Sequence, residues 1–216
     1  RADDLLNRSA PLSAPFCLPD MEAAVSRIAA ARESGEQVAV YGDYDCDGVC
    51  AAAILIKYFS FLGMPARPYI PSRQTEGYGL NRAALEQLAE DGVALVITVD
   101  NGISAVDEAE YAAELGLSLV ITDHHQPGEQ LPRAEAVVDA YRADSTPPYR
   151  DYCGAGVAYQ LVRACSERFA DVALPASLKR ELTALAALAT VGDVVPLTRE
   201  NRTLVTSGLK LFGTPV

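Results

Sequence analysis

Short apolar runs alternate along the chain with longer amphipathic stretches. Runs with the length and β-branched composition of strands lie at 37–43, 66–72, 93–102, 117–125 and 134–141. Stretches with helical length and spacing lie at 48–63, 81–92 and 104–116, the last with Ser104 as its expected N-cap. Apolar runs separated by helices of about a dozen residues are typical of βαβ units. We therefore predict the α/β class, with a Rossmann-like, mostly parallel sheet and helices on both faces.

The pattern changes after a crossing rich in proline and glycine, "RADSTPPYRDYCGAG". Only helical patterns follow it, at 155–169, 177–191 and 200–211. We predict a lead-in over 1–14 and one domain over 15–216, with an α/β core at about 36–141 and a helical C-terminal extension at about 155–216. The chain opens without Met and stops just after a helical pattern, so we expect it to be a piece of a longer protein.

The composition and charge of the chain indicate which broad class of protein it belongs to. Half of the 216 residues are hydrophobic, which is typical of a packed globular protein, and no apolar run reaches the roughly 18 residues of a membrane span. No secretory leader is visible. The five scattered cysteines favour a reducing compartment, so we expect the cytoplasm. The net charge of −11 argues against a broad nucleic-acid-binding surface.

Acidic residues follow the apolar runs. Three alternate directly after the first run and one ends each of three later runs: Asp43, Asp45, Asp47, Asp100, Asp123 and Asp139. The two histidines of the chain, His124 and His125, are adjacent and follow Asp123. Because ligands bind beyond the carboxyl ends of parallel strands, we expect these side chains to meet at one rim. Carboxylate and imidazole ligands suit Mn²⁺ or Mg²⁺, although each aspartate alone is equally typical of a turn or a cap.

Four motifs carry a family resemblance. "DYDCDG", "VDNG", "TDHH" and "VGDVVPL", in this order, resemble the phosphoesterase motifs of the DHH superfamily. Within it, "VAVYGDYDCDGVCAAAIL" and "YIPSRQTEGYGL" resemble the RecJ-type single-strand-specific 5′→3′ exonucleases. The resemblance runs from about Pro15 to the C-terminus and implies a DHH domain. It also implies DHHA1-type and OB-type domains that these 216 residues do not contain.

The resemblance implies a role for individual side chains. Two divalent cations, Mn²⁺ or Mg²⁺, would be held by Asp45, Asp47, Asp100, His124 and Asp193, with Asp100 as the carboxylate that bridges both. His125 would lie beside the substrate phosphate as a catalytic residue, assisted by Asp43 and Asp123, which orient a ligand or hold a water. Arg73 would hold the substrate phosphate, which a guanidinium contacts through two donors, unless it is an ordinary surface arginine. Tyr78 would shape the same loop or stack on a base.

Two features of the sequence each allow two interpretations. Cys46 lies between two expected ligands, and it is either filler pointing away from the acids or a thiolate ligand favouring a softer metal. "GAG" at 154–156 either presents backbone amides at a helix start to an anion or makes a tight crossing turn.

The implied function is two-metal hydrolysis of single-stranded DNA from its 5′ end, releasing 5′-mononucleotides in DNA repair and recombination. The acidic fragment alone should bind DNA weakly and be monomeric, without membrane contact. A single-strand-binding protein and a helicase would be partners of the longer protein. One alternative is a phosphoesterase for oligoribonucleotides, cyclic dinucleotides or pyrophosphate, although Tyr41 and Gly48 depart from the pattern of such enzymes. Another is a catalytically silent scaffold domain.

Overall fold

A five-stranded parallel sheet forms the centre of the molecule. The computed structural model describes residues 10–74, 77 and 79–212. Its strands are β1 (Gln37–Tyr41), β2 (Ala66–Tyr69), β3 (Val93–Val99), β4 (Ser118–Thr122) and β5 (Ala136–Val138), in the order β2-β1-β3-β4-β5. Every neighbouring pair is parallel. The predicted α/β class and mostly parallel sheet are confirmed.

Helices cover both faces of the sheet. They are α1 (Met21–Ser34), α2 (Cys46–Phe61), α3 (Arg82–Glu90), α4 (Val106–Glu114), α5 (Gly154–Arg168), α6 (Ala176–Gly192) and α7 (Arg199–Leu209), and a 3-10 turn at Pro15–Cys17 precedes them. Alternate residues of β1 enter different cores: Val38 and Val40 pack with α1, α2 and α5, whereas Ala39 and Tyr41 pack with α3 and α4. This alternation follows from the two-residue period of a strand.

The strand order reverses between β1 and β3. The chain moves from β1 outward to β2 and then returns to the other side of β1 for β3, β4 and β5. Tyr41 pairs with Thr98, and Val99 pairs with Thr122, so the carboxyl ends of the three central strands lie at one edge. A crevice at such a reversal is where open α/β sheets bind ligands.

The predicted helical extension packs onto the α/β core. Helix α5 lies on α2, and α6 contacts both α2 and α5. Helix α7 packs against α6. Gly192 at the end of α6 lies against Cys46 at the start of α2, so the extension brings these two helix ends together. No helix in the described part of the chain is long and apolar enough to cross a bilayer.

Two local features differ from the sequence prediction. Helix α1 was not predicted, although Met21, Ala24, Val25 and Ile28 lie at helical spacing and are fully buried. Ser104 is not an N-cap: α4 begins at Val106 with Ala105 as its N-cap and without a side-chain cap. The reason is a turn ahead of the helix, in which the Ala105 amide donates to the Gly102 carbonyl.

Candidate metal centre

The first acidic motif depends on a close approach between a loop and a helix. A Cβ on Gly48 would lie 2.6 Å from the backbone nitrogen of Asp43, so only glycine allows α2 to start this close to the end of β1. The approach places Asp43, which is 4% exposed, and Asp47, which is 1% exposed, at the carboxyl edge of the sheet. Burial raises the pKa of Asp43, and the amide of Tyr44 opposes that shift.

Asp45 is the N-cap of α2. Its Oδ1 accepts hydrogen bonds from the amides of Asp47 at 2.8 Å and Gly48 at 2.9 Å. The segment around Cys46 is thus helical, and the helix begins at Cys46, two residues before the predicted start at Gly48. The second oxygen of Asp45 takes no part in the cap, and the residue is exposed at the rim.

Asp47 is held by the start of α5. Its Oδ2 accepts a hydrogen bond from the amide of Gly154 at 2.6 Å, and its Oδ1 accepts one from Ala155 at 2.7 Å. The positive end of a helix dipole stabilises a carboxylate placed there. The "GAG" segment therefore does present amides to an anion, but the anion is a side chain of this protein, 107 and 108 residues away in sequence.

Asp100 lies at the centre of the cluster. It follows β3 with a left-handed φ of 63°, its amide donates to the Thr122 carbonyl, and it is 2% exposed. A Cβ on Gly154 would come within 2.5 Å of the Asp100 side chain, so glycine at this position makes room for it. Burial raises the pKa of Asp100 to about 7, and the neighbouring charge of Asp47 adds to the shift while His124 opposes it.

Carboxylates from three distant segments surround the Nε2 atom of His124. This atom lies 3.0 Å from Asp100 Oδ1, 3.7 Å from Asp47 Oδ2 and 3.8 Å from Asp193 Oδ2. Burial alone would lower the pKa of His124, but the contact with Asp100 and the other two carboxylates outweigh it and raise the pKa to about 9. Asp193, the C-cap of α6, reaches this site because the helical extension folds back, and burial raises its pKa.

The donor atoms fit divalent cations. Within the described part of the chain, three groups have ligand atoms within 4.8 Å of one another: Asp100 with His124 and His125, Asp47 with His124 and Asp193, and Asp43 with Asp45 and Asp100. Asp100 and His124 each belong to two groups, which suits a pair of neighbouring ions. Carboxylate oxygens with an imidazole nitrogen form a donor set for Mn²⁺ or Mg²⁺. The raised pKa values of Asp100 and His124 indicate that, without a cation, protons offset the crowded negative charge.

His125 is oriented by Asp123. The Nδ1 atom of His125 lies 2.7 Å from Asp123 Oδ1, and Asp123, which is 1% exposed, also accepts hydrogen bonds from the amides of His124 and Ile103. Burial alone would raise the pKa of Asp123. The hydrogen bonds from His125 and from the two backbone amides outweigh that effect, so the pKa lies below its ordinary value. The hydrogen bond with Asp123 raises the pKa of His125, which burial opposes. The pair holds the imidazole of His125 in a fixed orientation beside the candidate metal ligands.

Arg73 lies on the same rim, in the loop after β2. Its guanidinium stacks over the Tyr44 ring at 5.3 Å from the centroid, and its charge acts on Asp43. Cys46 is exposed, packs against Gly192 and belongs to none of the three ligand groups. Tyr78 lies outside the described residues.

Two buried side chains of the rim, Asn101 and Asp139, were given no role in the sequence analysis, although Asp139 was expected at the rim. Asn101 donates from Nδ2 to the Val99 carbonyl at 2.9 Å and to the Tyr41 carbonyl at 3.3 Å, and so joins the ends of β1 and β3. Asp139 is 0% exposed, and burial raises its pKa to about 7. The position of Asp139 directly after β5 was the sequence signal that it lies at the rim. Asn101 lies in the "VDNG" motif of the family resemblance, but it was given no role because an Asn-Gly pair is read first as a turn.

A family comparison covers most of the chain. The model described as "DHH family, N-terminal domain" matches residues 37–190. The single-stranded-DNA-specific exonuclease RecJ of Bacillus subtilis (strain 168) is 42% identical over 196 residues, which are 91% of this chain and 24% of that protein. The protein of the same name from Escherichia coli (strain K12) is 37% identical over 201 residues, covering 89% of this chain and 34% of that protein. The chain therefore spans about a quarter to a third of these curated relatives.

Solved structures give the same match. The crystal structure of exonuclease RecJ bound to manganese superposes with a TM-score of 0.81 at 35% identity, over 93% of this chain and 49% of that chain. RecJ from Thermus thermophilus in complex with Mn²⁺ superposes with a TM-score of 0.79 at 32% identity, over 97% of this chain and 29% of that chain.

Proposed function

The chain belongs to the DHH family, and on that premise we propose that it is the catalytic portion of a single-strand-specific 5′→3′ exodeoxyribonuclease. The substrate would be single-stranded DNA with a 5′ end, and the products 5′-mononucleotides. One observation carries the proposal: Asp47, Asp100 and Asp193, from three distant segments, lie within 3.8 Å of the Nε2 atom of His124. The names of its relatives supply the substrate class.

Two divalent cations, Mn²⁺ or Mg²⁺, would be held by ligands with carboxylate or imidazole donors: Asp45, Asp47, Asp100, His124 and Asp193. When bound, such ions lower the pKa of a coordinated water and offset charge on a phosphodiester. The Mn²⁺ named with the related solved structures supports this choice. The donor chemistry of the site supports it independently.

The other predicted residues would act on the substrate. Arg73 would hold a phosphate oxygen, because its guanidinium lies at the rim next to Asp43. His125 would give a proton to the leaving oxygen, and Asp123 fixes the imidazole for that transfer. Asp43 would orient a ligand or hold a water, which its burial near Asp45 supports.

The biological setting follows from the same relatives. A role in DNA repair and recombination, with a single-strand-binding protein and a helicase as partners of the longer protein, is proposed from this likeness. The five cysteines are free, which favours a reducing compartment, and we infer the cytoplasm. With a net charge of −11, these 216 residues alone would bind DNA weakly.

The test is Mn²⁺-dependent release of nucleotides from single-stranded DNA labelled at its 5′ end. Asp100→Ala should reduce kcat/KM by more than about 100-fold, since removing mere outer partners of metal ligands already costs roughly 10- to 100-fold. Asp107→Ala is the matched control, because Asp107 is an exposed aspartate of α4 outside the three ligand groups. Calorimetry should count two Mn²⁺ per chain. Retention of most activity by Asp100→Ala, or binding of no Mn²⁺, would overturn the proposal.

A further inference from the structure

The connection between α6 and α7 is strained at both of its ends. Val194 directly follows the predicted ligand Asp193 with a φ of 61°, and Arg199 begins α7 with a φ of 42°. Left-handed backbone conformations are unfavourable for most residues other than glycine, and above all for a β-branched valine. The valine side chain gains no burial in return, because it is 84% exposed. Contacts with the rest of the fold must therefore hold this connection, here the 194–199 loop, in its conformation.

Asn201, in the first turn of α7, is the buried tie of this loop. Its Nδ2 atom donates to the Pro196 carbonyl at 3.1 Å, in the middle of the 194–199 loop, and to the Asp151 carbonyl at 2.5 Å, in the segment ahead of α5. The side chain is 0% exposed. Its Oδ1 atom is buried without a hydrogen-bond partner among the described residues. A buried amide that served stability alone would be expected to have both ends paired, so the tie between the two segments distinguishes this side chain.

The two segments joined by this amide lead to two ligands of the same candidate cation. The 194–199 loop begins directly after Asp193, whose carboxylate lies 3.8 Å from His124 Nε2. Asp151 stands three residues ahead of Gly154, whose amide donates to Asp47. Asp47, His124 and Asp193 form one of the three ligand groups. The spacing between the Asp47 and Asp193 carboxylates therefore depends on how the two segments are held together.

We propose that Asn201 is a positioning residue of the metal centre, a role that rests on the proposed function. It acts through the backbone, because it holds the loop after Asp193 against the segment that leads to the amides around Asp47. Without this tie, Val194 would relax from its left-handed conformation, and the Asp193 carboxylate would move away from its partner ligands. Outer partners that orient metal ligands contribute about 10- to 100-fold to metal affinity.

Asn201→Ala tests the role by calorimetric titration of Mn²⁺ into the metal-free protein. The Mn²⁺ site that includes Asp193 should weaken at least about tenfold, whereas the site that includes Asp43 and Asp45 should change less than about twofold. Gln160→Ala is the matched control, because Gln160 is a buried amide outside the three ligand groups. It should lower the midpoint of urea denaturation, as Asn201→Ala does, and alter neither Mn²⁺ affinity.

Tyr149→Phe provides a milder test in case Asn201→Ala fails to fold. The Tyr149 hydroxyl donates to the Thr198 carbonyl at 3.2 Å and so joins the same loop to the same segment. The substitution keeps the buried ring and removes only this hydrogen bond, so it should weaken the Asp193 site about threefold and spare the other site. Tyr58→Phe is the matched control, since the Tyr58 hydroxyl is buried and accepts from Ser166. It should change neither Mn²⁺ affinity.

Relief of the strain at Val194 should rescue the loss. Glycine adopts a left-handed conformation without steric cost. In the Asn201→Ala background, Val194→Gly should therefore recover at least about threefold of the lost Mn²⁺ affinity. Val194→Gly alone should raise the midpoint of urea denaturation and leave both Mn²⁺ sites within about twofold of wild type. If the double variant regained stability without regaining Mn²⁺ affinity, Asn201 would have a structural role only.

These titrations need no DNA and so separate this inference from the proposed function. If the wild type cleaved no single-stranded DNA but Asn201→Ala weakened only the Asp193 site, the positioning role would stand and the nuclease assignment would fall. Equal weakening of both Mn²⁺ sites by Asn201→Ala, or weakening of neither, would overturn the positioning role. Equal effects of Tyr149→Phe and Tyr58→Phe would overturn it as well.

Discussion

Among the residues that the structure describes, buried acidic side chains occur in two places, and their surroundings differ. In the metal centre, Asp47, Asp100 and Asp193 meet around one imidazole. The second place, here the Glu200 cluster, joins the N-terminal segment to the helical extension through hydrogen bonds; its members are Ser13, Tyr152, Gln160, Arg163 and Glu200. Glu200 is 2% exposed, as is Asp100.

The Glu200 cluster is matched in donors and acceptors. Glu200 accepts hydrogen bonds from the amide and hydroxyl of Ser13 and from the hydroxyl of Tyr152. Gln160 donates to that hydroxyl and accepts from Arg163, which also donates to the Ser13 carbonyl. A buried polar network with all its groups paired adds rigidity to a fold. This cluster therefore has a structural role.

The metal centre has more acceptors than donors. Burial raises the pKa of Asp100 to about 7, a sign that its charge is poorly compensated by the protein. If these acids served only to stabilise the fold, each would be expected to have matching hydrogen-bond donors, as Glu200 does. Their crowding without matching donors indicates a site organised for a cation.

The largest expected effect is a difference in the free energy of unfolding between a variant of the Glu200 cluster and a variant of the metal centre. Glu200→Ala leaves the partly buried Ser13 amide and the buried Tyr152 hydroxyl without an acceptor, so it should lower the free energy of unfolding by about 3 kcal/mol. Asp100→Asn should leave the metal-free protein at pH 8 as stable as wild type, or up to about 1 kcal/mol more stable, because it removes a penalised charge. Urea denaturation measures both.

Glu200→Gln is the control, since it keeps an acceptor oxygen and should cost less than Glu200→Ala. The two clusters would prove alike if Asp100→Asn destabilised the metal-free protein as strongly as Glu200→Ala does.

The second expected effect is a loss of stability with rising pH in the metal-free protein. The folded-state pKa of Asp100, about 7, lies above the ordinary value of 3.8, so its ionisation becomes costly as pH rises through that interval. The folded-state pKa of His124, about 9, lies above 6.5, so the stability that its proton confers below pH 6.5 is lost as pH rises toward 9. Both groups hold protons more tightly in the folded state, and stability therefore falls.

Between pH 6 and pH 8.5 the loss should amount to about 2 kcal/mol, measured by urea denaturation in the presence of a chelator. Saturating Mn²⁺ should abolish most of it, because the cation replaces the protons. The Asp100→Asn variant should show a shallower pH dependence. A metal-free protein that gains stability over this interval would contradict the assignment of the charge imbalance to the metal centre.

Local sequence patterns predicted the sheet better than they predicted the contacts of the site. The apolar runs at 93–102 and 117–125 became β3 and β4, because a strand buried on both faces has a continuous apolar sequence. Helix α1 was missed although its apolar spacing was present, so that omission was one of interpretation. The acids at strand ends could be grouped because parallel strands end at one edge.

The contacts that the helical extension makes when it packs back onto the α/β core could not be predicted from local sequence patterns. The amides of Gly154 and Ala155 hold Asp47 only because α5 packs on α2. Asp193 reads locally as the end of a helix, and the family resemblance alone singled it out. The roles proposed for the site residues remain predictions for the experiments above.

The smallest expected effect concerns Asp139, a buried acid at the margin of the metal centre. One of its oxygens accepts the Tyr141 amide at 2.7 Å, and the other is buried without a hydrogen-bond partner among the described residues. Burial raises the pKa of Asp139 to about 7 from 3.8, so the ionised form is penalised increasingly from about pH 4 to about pH 7 and fully above. Asp139→Asn should therefore raise the free energy of unfolding by about 1 kcal/mol at pH 8, and by less at pH 5.

Asp144→Asn is the control for Asp139→Asn, because Asp144 is exposed and paired with Arg142, which lowers its pKa. That substitution should give no gain at pH 8. Thermal denaturation of the metal-free variants at both pH values measures the difference. If Asp139→Asn destabilised the protein at pH 8, its carboxylate would be compensated in the manner of Glu200, and Asp139 would belong with the structural acids.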